Sequence, residues 1–192
     1  MARARRGLRG RAGPIGTLYT VGHGTLEPEA FTGLLRASTI DAIVDIRRFP
    51  GSRRYPHFAR EAMEEWLPSA GLAYRWEESL GGRRRATPDS PNTALRNPSF
   101  RAYADYMETT AFRSALDRLL AEAGERRTAV MCSESLWWRC HRRLVADAAT
   151  LLHATSAVHL LHSGKAAPHV PTDGVRVDGE SLVYDAGIAP LF

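Results

Sequence analysis

The two cysteines of this chain, Cys132 and Cys140, stand in a segment dense with reactive groups. Glu134 lies two residues beyond the first thiol, and His141, Arg142 and Arg143 follow the second directly. A thiol beside cationic groups loses its proton more readily and becomes a nucleophile or redox group. A carboxylate in that place can act as acid, base or nucleophile. Arginines grip phosphate or carboxylate through paired N–H donors. The expected roles are therefore Glu134 as acid/base or nucleophile, Cys132 or Cys140 as thiolate or redox group, and Arg142 as holder of an anionic group. On this reading Glu134→Gln and Arg142→Ala leave the fold intact and abolish activity. Trp137 and Trp138 lie between the thiols, where they could form a wall for a nucleobase or simply cover the core.

Two other stretches carry matching chemistry. His23 sits between Gly22 and Gly24, and Asp45-Ile-Arg47-Arg48 runs into Pro50-Gly-Ser-Arg53-Arg54. Arg47 and Arg53 could clamp an anion, while His23 and Asp45 could orient a partner or transfer a proton. The Gly81-Gly82 pair is expected to supply a turn with positive φ, with Gly82 near the substrate, although no phosphate-loop pattern is present. Cys132, Cys140, His141 and His23 could instead form a Cys2His2 metal set. Their spacing matches no standard zinc motif, and neighbours on a helix point about 100° apart, so no ligand is assigned. A Cys132–Cys140 disulfide stays open as an alternative. No cofactor is specified.

These groups need elements to position them. Thr17 to His23 reads as a first strand, followed by a helix capped by Thr25, with Pro28 and Glu29 in its first turn and Phe31, Leu34 and Leu35 on its apolar face. Asp41 to Arg47 is a short β-branched strand. Residues 48–58 form a loop rich in arginine, proline and aromatics, then a helix runs over Arg60–Ser69 and a strand over Leu72–Trp76. Residues 80–98 are irregular, a length usually reserved for function or mobility. Ser99 caps a helix bearing Tyr103, Tyr106 and Met107, and Phe112, Leu116, Leu119, Leu120 and Ala123 mark another. A strand over Thr128–Cys132, a helix over His141–His153 and a strand over Ala157–Leu161 follow. Asp178-Gly179 signals a hairpin within Val175–Tyr184. This alternation predicts an α/β fold: a mostly parallel, Rossmann-like sheet with helices on both faces and a C-terminal β-hairpin. Ligands bind such sheets at the carboxyl ends of the strands, where all three reactive stretches fall.

The Tyr-Thr-Val-Gly-His opening, the Val-Asp-Ile-Arg strand with its Pro-Gly-Ser-Arg-Arg loop, Leu80-Gly81-Gly82 and the Cys-x-Glu followed by Cys-His-Arg together resemble the bacterial domain of unknown function 488 family. The resemblance runs from about Leu18 to His162. It implies no particular activity, substrate or cofactor.

A chain of 192 residues accommodates one sizeable core. The expected division is an Arg-rich disordered tail over residues 1–16 and one α/β domain over 17–192. No apolar run is long enough to span a membrane, and the N-terminal arginines lead into no apolar stretch of a secretory signal. Two cysteines suit a reducing compartment, so a cytoplasmic location is expected. The net charge of +5 equals the five arginines before residue 12, leaving the remainder formally neutral. The tail could touch nucleic acid, but no helix-turn-helix, zinc-finger or RNA-recognition signature accompanies it. The expected partner is a small molecule or nucleotide, and the expected function is an enzyme, hydrolase- or transferase-like, acting on a nucleotide, phosphorylated metabolite or nucleobase. A metal- or redox-active Cys/His protein and a nucleic-acid-associated module are the alternatives.

Overall fold

The strands are short, apolar and bracketed by helices with one apolar face, a pattern that buries both faces of a parallel sheet. The computed structural model describes residues 16–187, so all but the last residue of the expected tail lies outside the described residues. Five parallel strands, β1 (Thr17–Gly22), β2 (Ala42–Asp45), β3 (Ala73–Trp76), β4 (Thr128–Cys132) and β5 (Ser156–Leu160), are joined by β6 (Ala166–Pro168), antiparallel at the edge, in the order β3-β2-β4-β1-β5-β6. Helices α1 (Pro28–Ala37) and α2 (Arg60–Ser69) cover one face, and α3 (Pro98–Met107), α4 (Thr110–Glu125) and α5 (Arg142–His153) cover the other. The period-two alternation assigns the faces: Ile43, Ala129 and Met131 pack toward α1 and α2, while Val44, Val130 and Cys132 pack toward α3 to α5. Cys132 thus enters the site from the α5 side.

β7 (Val175–Asp178) and β8 (Ser181–Tyr184) form the C-terminal hairpin, a separate two-stranded sheet. Its turn residues are Gly179 and Glu180, one step beyond the Asp178-Gly179 signal. Leu182 and Tyr184 join the core beneath α3 and α5. Asn92 ties the hairpin to the long irregular stretch, accepting from the Tyr184 N–H at 2.9 Å and donating to Asp105 at 2.8 Å.

Several local expectations are corrected. Thr25 does not cap α1; Glu27 occupies that position and Pro28 follows it, where its fixed φ suits the first turn. Asn97, not Ser99, caps α3, accepting from the Ser99 N–H at 2.9 Å. β2 ends at Asp45, two residues early, because the Arg47 backbone N–H turns back onto the Asp45 carboxylate at 3.0 Å. β6 carried no readable signal, since Ala-Ala-Pro has no alternation and proline is tolerated only at an edge.

A buried polar chain fixes β5. Thr20 Oγ1 lies 2.6 Å from His159 Nδ1, His159 Nε2 lies 3.0 Å from His169 Nδ1, and His169 Nε2 reaches Asp147 at 2.9 Å. Burial, with help from His169 and Arg142, lowers the His159 pKa to about 3. The folded chain therefore keeps His159 neutral where the unfolded chain, near 6.5, takes up a proton. Stability that is full above about pH 6.5 falls as the pH drops toward 3. In urea titrations across that window, His159→Gln should show a slope shallower than the parent by up to about 1.4 kcal/mol per pH unit. Equal slopes would show that His159 does not titrate differently on folding.

Candidate active site

The carboxyl ends of β1, β2 and β4 lie side by side and deliver His23, Arg47 and Cys132 to one cavity of about 420 Å³. Gly82 and Arg83, Ser99 and Phe100 at the start of α3, and the segment before α5 complete its wall. Its lining includes Arg47, Arg48, Arg83 and Arg139, with Glu134 the single acid.

Arg47 is buried and held by Asp45, whose carboxylate accepts from Nε at 2.9 Å and from Nη2 at 2.6 Å. Tyr74 donates to the same carboxylate at 2.9 Å. Asp45 does not line the cavity; it aims Arg47 into it. Arg47 Nη1 lies 3.4 Å from His23 Nε2, and His23 Nδ1 lies 3.0 Å from the Gly24 carbonyl. The His23 ring stacks on Phe58 at 4.1 Å. Burial and the neighbouring guanidinium lower its pKa to about 4, which leaves the ring neutral near pH 7. Arg48 donates to the Arg83 carbonyl at 2.7 Å and so ties two wall loops together. Among the described residues, neither Arg83 nor Arg139 has an acidic partner.

At the cavity floor, His141 Nδ1 lies 3.9 Å from Cys132 Sγ and 3.8 Å from Cys140 Sγ. His141 Nε2 donates to the Ile46 carbonyl at 3.1 Å, which leaves the Nδ1 lone pair facing both sulfurs. Both cysteines are free and buried. Cys132 ionises first: the neighbouring Cys140 thiol holds it well below the usual thiol range, aided by Arg142, while burial pushes Cys140 up. The expected divergence of Cys140 and His141 on a helix does not occur. Cys140 precedes α5 with extended backbone, φ −124° and ψ 147°, so the next residue's ring swings back beside its sulfur. The first-turn amides of Arg143 and Leu144 are taken by the Cys140 and His141 carbonyls, so the cavity's pull on anions comes from arginine side chains.

Gly81 and Gly82 do not adopt positive φ; Arg83 does, at 57°. The glycines serve close approach instead. A Cβ on Gly81 would meet the Arg48 backbone at 2.8 Å, and one on Gly82 would meet His141 Nδ1 at 3.0 Å. Tyr103 donates to the Leu80 carbonyl at 2.7 Å and fixes this turn.

Of the residues singled out in the sequence, the structure gathers Glu134, Cys132, Cys140, His23, Arg47 and Gly82 in the lining, with Asp45 directly behind. Four lie elsewhere. Arg142 is buried away from the lining, its guanidinium donating to the Glu134 and Ser135 carbonyls. Arg53 is exposed on the neighbouring loop. Trp137 stacks on His159 at 4.0 Å, and Trp138 is 46% exposed to solvent. The aromatic rings in the lining are Phe49, Tyr55, Phe100 and Tyr103. Arg48, Phe49, Arg83 and Phe100 were not assigned to the site; arginine density could have flagged Arg48 and Arg83, and Phe49 stands beside Arg48 in the loop after β2, whereas Phe100, in the first turn of α3, carried no such signal.

Fold and cavity define an open, mostly parallel α/β protein with a basic, thiol-bearing site at the carboxyl edge of its sheet. The chain belongs to the family described as Domain of unknown function DUF488, whose model matches residues 27–149. That span holds Arg47, Gly82, Cys132, Glu134, Cys140 and His141, while the His23 strand lies before it. No curated protein and no solved structure matches the chain. Among the described residues, no helix is long and apolar enough to cross a membrane.

Proposed function

We propose that this protein is an enzyme acting on an anionic, phosphate-bearing small molecule, held in the cavity above the Cys132–Cys140–His141 cluster. The observation that carries the reading is the charge imbalance of the lining: four arginines against Glu134 alone. Arg47 is preorganised by Asp45, so it meets an anion without losing side-chain freedom. Arg83 and Arg139 lack acidic partners among the described residues and stand free to pair with phosphate oxygens. Phe49 and Phe100 offer apolar faces for a base, which favours a nucleotide over a smaller phosphate ester. Glu134, half-buried and fixed to its own loop through the Leu136 N–H at 3.1 Å, serves as acid/base. Reduced thiols at the floor suit a cytoplasmic setting.

Thermal denaturation with matched ligand pairs tests this. ADP and pyrophosphate should raise Tm, adenosine and uncharged sugars should not, and Arg83→Ala with Arg139→Ala should weaken pyrophosphate binding at least about tenfold. Equal stabilisation by adenosine and ADP, or indifference to both arginine changes, would overturn the reading.

A further inference from the structure

Two sulfurs converge on a single imidazole lone pair. One Nδ1 can accept from one thiol, yet both Cys132 Sγ and Cys140 Sγ stand within 3.9 Å of it. All three donor atoms lie within 4.8 Å of one another, and this is the one such grouping among the described residues. His23, the fourth member of the expected set, is not part of it: its ring nitrogens face Gly24 and Arg47.

We propose that Cys132, Cys140 and His141 form a three-ligand site for a zinc ion whose fourth position opens into the cavity. Tetrahedral zinc at its usual bond lengths places a thiolate sulfur and an imidazole nitrogen roughly 3.5 Å apart. The separations here, 3.8 and 3.9 Å, close onto an ion with small side-chain shifts. His141 shows the arrangement that fixes a metal-binding ring: Nε2–H donates to the Ile46 carbonyl at 3.1 Å, so Nδ1 presents its lone pair. Two sulfurs and one nitrogen select a borderline-soft cation over magnesium or calcium. Buried Arg142, without an acidic partner among the described residues, adds positive charge that favours thiolates. All three ligand residues line the cavity, so water or a substrate oxygen can complete the shell. Gly82 leaves room for the His141 ring in this pose, since any Cβ there would press on Nδ1.

The test uses the full chain, reduced and without a histidine tag, and adds no anionic ligand. Zinc titrated against a chromophoric chelator should bind at one ion per chain. Cobalt in its place should give a near-ultraviolet thiolate-to-cobalt charge-transfer band and the intense visible bands of tetrahedral geometry. Cys140→Ser and His141→Ala, with folding verified by circular dichroism, should each weaken zinc by more than about a hundredfold. A cobalt spectrum of the unmodified chain without the thiolate band overturns the proposal, whatever the variants do. Zinc affinity unchanged by Cys140→Ser does so as well. Neither readout involves arginine, so failure here leaves the anionic-substrate reading standing, and failure of that reading leaves the zinc site standing.

Discussion

Arg142→Ala should destabilise the protein by about 3 kcal/mol or more in urea denaturation. Arg142 is 1% exposed, among the largest fully buried side chains in the core. Its Nη2 donates to the Ser135 carbonyl at 2.8 Å and its Nη1 to the Glu134 carbonyl. These bonds hold the segment after β4 against Gly22, where a side chain would collide with the Glu134 carbonyl and with Arg142 itself. Truncation leaves a cavity and two carbonyls without their donor, and frees the loop that carries Glu134. Arg142→Lys, with one cationic head for two carbonyls, should recover part of the loss. A parent-like denaturation midpoint in Arg142→Ala would return the residue to the ligand-holding role first expected of it.

Asp45→Ala should cost about 3–5 kcal/mol, the usual penalty for stranding one partner of a buried ion pair. Asp45 is fully buried and accepts from Arg47 and Tyr74 at once. Without it the Arg47 guanidinium is buried beside a neutral His23, with no acid to balance it. Asp45→Asn keeps one acceptor and should fall between parent and alanine variant. Both changes should also weaken pyrophosphate binding, because Arg47 loses the partner that aims it. Calorimetry beside denaturation separates the two effects. A loss below about 1 kcal/mol for Asp45→Ala would mean that Arg47 finds another partner or reaches solvent.

The three reactive strand ends were legible because apolar, β-branched runs give way to Gly22-His23, to Asp45 and the arginines after it, and to Ser133-Glu134 where β1, β2 and β4 stop. The parallel sheet then brings those ends together. What each side chain does there was less legible. An arginine that clamps carbonyls and one that lines a cavity look alike in sequence, so Arg142 and Arg47 received the same role and occupy different places. Trp137 pairs with His159, a partner on a strand that returns to the sheet 22 residues later. The Cys140–His141 convergence depends on one extended residue before α5, and helical periodicity assumes the opposite. Gly81 and Gly82 were expected to supply positive φ and do not; close packing against Arg48 and His141 explains them instead.

The most direct test of the central claim is a titration of the isotopically labelled chain with pyrophosphate, followed by amide NMR. Saturable shifts should appear at Gly24, Arg48, Gly82, Arg83, Ser133 and Arg139, all in the cavity wall, and should vanish in Arg83→Ala with Arg139→Ala. Amides lining the groove between α4 and the hairpin, such as Arg113 and Leu182, should stay still. Saturable shifts confined to that groove, or none at all, would contradict an anionic substrate at the sheet's carboxyl edge.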